Sequence, residues 1–165
     1  MIIIVPYDLR WPAEFASLRA NLQAALGDLA LRIDHIGSTA VPDLAAKDRI
    51  DIQITVRALT DEVEEALRRY GYQRSLRLNR DHRPPTVEGP DSDWEKWFFN
   101  PPEGQRPTNV HVRIAGRANQ RYALLCRDYL RTHPLAAQAY GQTKQALARY
   151  HADNIDAYYD IKDPV

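Results

Sequence analysis

A glycine-serine turn followed by an acidic strand is the segment of the chain best suited to chemistry. Residues 34–42 read Asp-His-Ile-Gly-Ser-Thr-Ala-Val-Pro. A backbone that turns at Gly37 directs its N–H groups, together with the hydroxyls of Ser38 and Thr39, toward a common point, which is how a chain builds a phosphate cradle. Lys47 follows closely enough to add a positive charge. The segment therefore predicts binding of a phosphate-bearing ligand.

The residues after the turn predict a strand with one polar face. Isoleucine and valine alternate with polar residues over 50–56, so Asp51 and Gln53 share the face turned away from the core. Backbone donors at the turn can hold a triphosphate while a carboxylate holds Mg²⁺ with it. The alternative, an ordinary turn and a solvated aspartate, stays open on the motif alone, because short glycine-containing patterns recur by chance.

Two histidines lie near this segment in the predicted arrangement. His111 belongs to a second alternating strand, 109–114, which places it with Asn109 and Arg113 on one face. Together with Asp51, His35 and His111 could ligate a metal or transfer protons, although their spacing matches no diagnostic metal motif. We favour a hydrogen-bonded structural role for His35 and a ligand contact or acid–base role for His111.

Two helical patterns near the C-terminus carry basic residues. Arg127 and Arg131 are four residues apart, as are Tyr140 and Lys144, so each pair shares a helix face. Two guanidiniums suit a bidentate grip on phosphate or carboxylate. Ion pairing within the fold is equally compatible with the pattern, and three acidic partners are candidates: Asp8, Asp34 and Asp128.

The elements that must position these residues predict an α+β fold. Apolar periodicity gives strands at 1–7, 31–36, 50–56, 72–78, 94–99 and 109–114, and helices from Trp11, from the N-cap Thr60 to Gly71, at 119–133, at 134–150 and around 156–161. This order predicts a mixed β-sheet with helices packed on one face and a helical C-terminal block. The polar residues would gather on an open opposite face. The loop 79–93 is either a mobile lid or a surface meander.

Length and composition predict one domain spanning residues 1–165. Hydrophobic residues make up 44% of the chain and charged residues 27%, with 22 basic against 22 acidic side chains. Zero net charge argues against general nucleic-acid binding and against a polybasic membrane surface. The single Cys126 excludes an internal disulfide and a multi-cysteine zinc site, and its helical pattern favours a buried, inert thiol. No stretch is long and apolar enough for a signal or a membrane span, so we expect a cytoplasmic protein.

The turn and strand resemble the opening signature of the DNA polymerase β-type nucleotidyltransferases. In that superfamily a Gly-Ser turn precedes a strand with two acidic residues at alternate positions. Here Asp51 supplies the first acid, whereas Gln53 stands where the second belongs. An amide is a poor substitute for a charged Mg²⁺ ligand, so this replacement weakens a two-metal mechanism.

Motifs along nearly the whole chain resemble the GrpB family. They are the 34–42 run, Ala46-Lys47, Ile50-Asp51-Ile52, Asn109-Val-His-Val112, Cys126-Arg-Asp-Tyr-Leu-Arg131, His133-Pro134 and the Tyr140 to Lys144 spacing. The pattern is especially similar to the GrpB-type domain fused behind dephospho-CoA kinase in some bacteria. The chain has no GxxxxGK[ST] phosphate loop, so the resemblance does not extend to kinase activity. Asp43, where the family often has glycine, predicts a different turn after Pro42.

The resemblance implies a nucleotidyltransferase-like fold and a Mg²⁺-dependent site for a nucleotide or another small molecule. Its enzymatic form would transfer a nucleotidyl group to a small acceptor; the alternative is a non-catalytic nucleotide or CoA-precursor binding or regulatory module. In the site, Asp51 would hold Mg²⁺, Gln53 would orient ligand or metal-bound water, and His111 would contact the acceptor or move a proton. The remaining candidate ligand-binding residues are His35, Gly37, Ser38, Thr39, Lys47, Arg113, Arg127, Arg131 and Lys144.

Overall fold

A computed structural model describes residues 1–154 together with residues 156, 158 and 161. Within these residues, four helices and five strands form the fold. The helices are α1 (Trp11–Leu26), α2 (Asp61–Arg69), α3 (Ala118–Thr132) and α4 (Pro134–Tyr150), and the strands are β1 (Arg32–Ile36), β2 (Ile50–Val56), β3 (Gln73–Ser75), β4 (Trp97–Asn100) and β5 (Thr108–Ile114). The predicted α+β class is confirmed.

The five strands form one mixed sheet in the order β1-β2-β5-β4-β3. The central strands β2 and β5 run parallel, and every other neighbouring pair is antiparallel. Their register pairs Asp51 with Asn109 and Gln53 with His111. Because directly paired residues point to the same face, the two polar rows predicted from alternation lie side by side.

The apolar face of the sheet packs against α1 and α2. Ile50, Ile52 and Ile54 are fully buried there, together with Trp11 and Leu22 of α1. Full burial of such side chains contributes about 1.5–3 kcal/mol each. This core fixes the register of β2 and thereby forces Asp51 onto the opposite face.

The opposite face is covered rather than open, contrary to the sequence-based expectation. The start of α3 lies over β2, where the Gln53 side-chain amide donates to the backbone oxygen of Gln120 at 3.1 Å. The loop 79–93 is anchored beside β4, since Lys96 N donates to the Asn79 oxygen and Asp81 N donates to the Trp94 oxygen. Gln53 is consequently 0% exposed.

Several local expectations differ from the structure. Residues 1–7 form no strand: Val5 makes a single bridge with Ala46, and Pro6 has no N–H with which to continue pairing. β3 is shorter than predicted, because Leu76 and Leu78 beyond its end are exposed. Cys126 is exposed, not buried. The helix predicted around 156–161 lies largely outside the described residues.

Two turn predictions can be compared with backbone angles. Gly71 follows α2 with φ +85°, as predicted for a residue just past a helix end. Asp43 adopts φ +61°, the left-handed region that favours glycine. The turn after Pro42 therefore keeps a glycine-like backbone despite the aspartate. None of the helices in the described part of the chain combines the length and apolar character needed to span a bilayer.

Candidate functional site

The glycine-serine turn lies directly against the carboxylate of Asp51. Gly37 has φ +68°, and a 3₁₀ turn follows at Ser38–Ala40, closed by Ala40 N donating to the Gly37 oxygen at 3.2 Å. A Cβ added at Gly37 would lie 2.5 Å from Asp51 Oδ2. Both the positive φ and the close approach therefore require glycine, and the sequence-predicted pairing of turn and acid is a direct contact.

Substituting Gly37 with alanine is expected to destabilise the fold by about 1–3 kcal/mol, because the methyl group meets Asp51 and the backbone is strained. Gly104→Ala is a matched control: Gly104 has φ +75° but nothing within 4 Å of an added Cβ. Urea denaturation of both variants separates the contact from the backbone strain. Equal losses of unfolding free energy would show that the Asp51 contact contributes nothing.

A buried lysine from α4 joins the turn. Lys144 is 2% exposed, and its ammonium donates to Ser38 Oγ at 2.7 Å and to the Ala45 oxygen at 2.6 Å. The lysine that the sequence placed beside the turn, Lys47, lies with its Nζ 4.8 Å from the ring centroid of Tyr158. Positive charge at the turn thus comes from Lys144, and it reaches the hydroxyl predicted to bind phosphate.

Asp51 forms a small polar cluster with two residues of β5. Asn109 Nδ2 donates to Asp51 Oδ1 at 2.7 Å, and His111 Nε2 lies 3.9 Å from the same oxygen. The Asp51 side chain is 28% exposed and that of His111 is 14% exposed. Asp51 and His111 are therefore brought together as predicted, and the cluster retains access to solvent.

The contacts of His111 fix the position of its proton. Its Nδ1 lies 3.2 Å from Lys96 Nζ, and an ammonium can only donate, so Nδ1 is the acceptor. In the neutral ring the proton then sits on Nε2, directed at Asp51. Burial, reinforced by the charge of Arg113, lowers the pKa of His111 to about 4, which keeps the ring neutral near pH 7. A neutral Nε2–H beside Asp51 can donate a hydrogen bond to a ligand or to the carboxylate.

Gln53 and Arg113 belong to a buried network rather than to an accessible site. The Gln53 Oε1 accepts from Arg113 NH1 at 2.7 Å, and Arg113 grips both oxygens of Asp81 at 2.7 and 2.8 Å. Lys96 Nζ adds a contact to Asp81 at 2.6 Å, and Asn119 adds another at 3.0 Å. Burial opposes ionisation of Asp81, but Arg113 and Lys96 outweigh it and hold its pKa well below the ordinary value.

Sequence reasoning missed Asp81 and Lys96. Asp81 lies in a loop without periodicity, between Arg80 and His82, so no pattern indicated that it would be buried. Lys96 stands between the aromatic residues Trp94 and Phe98, and that alternation is the one signal that assigns it to the same face as His111. These two residues fasten the 79–93 loop to the sheet, so the base of this loop is not a free lid.

His35 lies on the other face of the sheet from Asp51. Its ring stacks on Phe15 of α1 with centroids 4.6 Å apart, and Nε2 contacts Thr39 Oγ1 at 3.0 Å. Burial lowers the pKa of His35 to about 4. The possible metal set of His35, His111 and Asp51 is therefore wrong, because His35 and Asp51 lie on opposite faces of the sheet. The contacts of His35 fit the structural role favoured for it.

Arg127 and Arg131 pair within the fold and also meet the other side of the turn. Arg127 donates to the His35 backbone oxygen at 3.0 Å and to Asp128 at 2.7 Å, and it lies 3.8 Å from Asp34. Arg131 Nε donates to the Ala40 oxygen at 2.9 Å. Of the three acidic partners considered, Asp34 and Asp128 are used.

Nine of the twelve predicted site residues thus fall into two groups, and Lys47, Gln53 and Arg113 belong to neither. Gly37, Ser38 and Asp51 lie together with His111 and Lys144, whereas His35, Thr39, Arg127 and Arg131 line a cleft of about 320 Å³ at the edge of β1. The lining of that cleft includes neither Asp51 nor His111. In its simplest form, the sequence hypothesis placed these residues around a single cavity. In the described part of the chain the two groups instead lie in two separate places.

Stability should fall with acidification because His35 and His111 are held neutral. Their folded pKa of about 4 lies below the ordinary 6.5, so between these values the unfolded chain binds more protons. The free energy of unfolding is therefore expected to decrease from about pH 6.5 to 4, by up to about 1.4 kcal/mol per pH unit for each histidine. Urea titrations across this range, with His111→Gln and the exposed-loop control His82→Gln, test this. If the unfolding free energy of His111→Gln changed with pH as steeply as that of the unmodified chain, the prediction would be contradicted.

The donors present fit one Mg²⁺ but not two. Mg²⁺ is commonly held by one or two carboxylates together with ligand phosphates, and Asp51 offers one carboxylate beside the turn. Gln53 is 0% exposed and its oxygen already accepts from Arg113, so it cannot serve as a second ligand. Among the described residues, no group of three or more His, Cys, Asp or Glu side chains is arranged to hold a metal ion.

The protein is an α+β protein with a mixed sheet, in which a glycine-serine turn lies against an acidic residue of a central strand. Comparison with known proteins shows the family to which the chain belongs. The family model described as GrpB protein matches residues 1–165, so the chain belongs to the GrpB family. The crystal structure of the conserved protein GrpB from Enterococcus faecalis aligns with a TM-score of 0.74 at 28% identity, covering 96% of this chain and 91% of that one. The predicted family is confirmed, and the chain shares the fold of that GrpB structure.

Relatives of this chain differ in length. A dephospho-CoA kinase of Mycolicibacterium paratuberculosis is 41% identical over 98% of this chain, which spans only 43% of that relative. The UPF0157 protein BH1888 of Halalkalibacterium halodurans is 31% identical over 99% of this chain and 78% of the relative. The predicted likeness to a domain within dephospho-CoA kinases is thereby confirmed.

Proposed function

We propose that this chain binds a nucleotide, or a related phosphate-bearing small molecule, at the Gly37 turn beside Asp51. The observation that carries the proposal is the direct approach of Gly37 to the Asp51 carboxylate, which only glycine permits. The exposed backbone at Gly37 and the hydroxyl of Ser38, contacted by Lys144 at 2.7 Å, supply donors and positive charge for phosphate oxygens.

Asp51 would hold a Mg²⁺ ion, whose charge would offset that of the ligand phosphates. Asn109 would orient this carboxylate, because its amide donates to Oδ1 at 2.7 Å and leaves Oδ2 facing the turn. His111 would contact the ligand through its Nε2–H. These roles follow from the position of each side chain around the turn.

The geometry favours binding without nucleotidyl transfer. Transfer in the two-metal manner needs a second carboxylate next to the first, and Gln53 is an amide locked between Arg113 and Gln120. Transfer with one metal is the second candidate, supported by the His111 Nε2–H, which lies 3.9 Å from Asp51 and can donate a hydrogen bond to a bound acceptor.

The ligand class includes CoA precursors. One relative named dephospho-CoA kinase contains a region 41% identical to this chain, and a nucleotide-containing CoA precursor offers the phosphates that the turn requires. This chain would then act as a binding or regulatory module for such a compound.

Isothermal titration calorimetry with the four ribonucleoside triphosphates and dephospho-CoA, each with and without Mg²⁺, tests the proposal. We expect saturable binding of at least one compound, strengthened by Mg²⁺, and no new phosphorus species by ³¹P NMR after prolonged incubation. Absence of binding for every compound would refute the proposal. Formation of a product would show instead that the chain is a nucleotidyltransferase and not a non-catalytic binding module.

A further inference from the structure

A second site is suggested by the cleft at the free edge of β1, on the far side of the turn from Asp51. It encloses about 320 Å³, within the range of small-molecule sites. We call it the α1–α3 cleft because helices α1 and α3 form its walls. Its lining residues of interest are Phe15, Arg19, Ile33, Asp34, Arg127 and Arg131.

The α1–α3 cleft concentrates positive charge in a chain that has none overall. The cleft lining holds three arginines, Arg19, Arg127 and Arg131, and one carboxylate, Asp34, a charge of +2 against a net charge of 0 for the whole chain. Two flanking groups, Asp128 paired with Arg127 at 2.7 Å and Arg32 paired with Asp34 at 2.6 Å, cancel each other and leave this sum unchanged. A cleft lined by one sign of charge between low-dielectric walls raises the local concentration of the opposite ion. The expected ligand is therefore a dianion.

The two α3 guanidiniums are held in place and still have donors to offer. Within the described part of the chain, Arg131 makes one hydrogen bond, from Nε to the Ala40 oxygen, and Arg127 makes two, to Asp128 and to the His35 oxygen. Each guanidinium has five N–H donors, so several remain on each. Guanidiniums fixed by their Nε atoms present their outer N–H groups as a fork suited to an oxyanion.

Phe15 and Ile33 give the lining of the cleft an apolar part. The ring of Phe15 stacks on His35 with an interplanar angle of 11°, and Ile33 lies beside them. His35 is buried and bonded to Thr39, so it holds the stack rather than binding the ligand. A ring or short apolar group fits against this apolar part while its charged end reaches the arginines.

We propose that the α1–α3 cleft binds a phosphate monoester that carries an apolar ring, with Arg127 and Arg131 gripping the phosphate and Phe15 contacting the ring. Arg19, exposed on α1, adds charge at the opening. This site is separate from the one at Asp51 and does not depend on it.

Phenyl phosphate titrated into ¹⁵N-labelled protein tests the assignment. We expect saturable shifts of the Thr39 and Ala40 amides and of the Nε–H signals of Arg127 and Arg131, without comparable shifts at Asn109. Benzoate, with one charge, should bind about tenfold more weakly, and neutral benzyl alcohol should not bind. No shift at the cleft, or equal affinity for any two of these probes, would overturn the proposal.

Two variants and a control separate charge from folding. Arg131→Gln and Arg19→Gln should each weaken phenyl phosphate binding about tenfold or more, and Arg19 is exposed, so its replacement leaves the fold intact. Arg121 is an exposed arginine of α3 that lies outside the cleft. The control Arg121→Gln should therefore bind phenyl phosphate as tightly as the unmodified chain does. Unchanged affinity in both cleft variants would overturn the proposal.

Discussion

Asp81→Ala is expected to lower the free energy of unfolding by about 3–5 kcal/mol, the cost of removing one partner from a buried ion pair. The aspartate accepts from Arg113 through both oxygens and from Lys96 and Asn119 as well. Its loss would leave Arg113, 5% exposed, and Lys96, 8% exposed, as buried charges without their carboxylate. The 79–93 loop would also lose its side-chain attachment to the sheet, while its backbone hydrogen bonds to Trp94 and Lys96 remain.

An aspartate of the same loop provides the control for this substitution. Asp91 pairs with Arg80 and Arg83, but its side chain is 69% exposed. Exposed pairs contribute about 0–1 kcal/mol, so Asp91→Ala should change the unfolding free energy by no more than that. Urea denaturation measures both. A loss in Asp81→Ala as small as in Asp91→Ala would show that the network does not support the fold.

Asp51→Asn is expected to weaken Mg²⁺-dependent nucleotide binding by more than about 100-fold. Loss of a group that only hydrogen-bonds a metal ligand already lowers metal affinity by about 10–100-fold, and Asp51 would be the ligand itself. Asparagine is close in shape, so the packing beneath Gly37 is kept while the charge is removed. The effect should vanish when binding is measured without Mg²⁺, since the carboxylate acts through the metal.

Asp48→Asn is a control three residues away in sequence. Asp48 accepts from the Trp11 indole and pairs with Arg106, contacts that fasten the segment before β2 to α1. Calorimetry should give this variant the affinity of the unmodified chain. If Asp51→Asn also retained that affinity, Asp51 would have no part in the site.

The central sheet could be predicted because its signal is local. Alternation in 50–56 and 109–114 fixed which side chains share a face. The observed pairing of Asp51 with Asn109 then brings the two polar rows together. The same alternation assigned Gln53 and Arg113 to the polar face. It could not show that they are buried, because burial there depends on α3 and on the 79–93 loop.

The rest of the site depends on contacts between residues distant in sequence. Lys144 meets Ser38 across 106 positions, and Arg113 meets Asp81 across 32, separations that no local pattern encodes. His35 sits next to the turn in sequence, yet strand geometry sends its side chain to the opposite face from Asp51. The division of the predicted residues between two places therefore emerged only from the fold.

Backbone amide chemical-shift mapping with the Mg²⁺ complex of the tightest-binding nucleotide tests the central claim most directly. Binding at the turn predicts that the largest shifts cluster at Gly37, Ser38, Asp51, Asn109 and His111, and that they disappear in Asp51→Asn. Shifts centred anywhere else in the chain, or an unchanged pattern in Asp51→Asn, would contradict it.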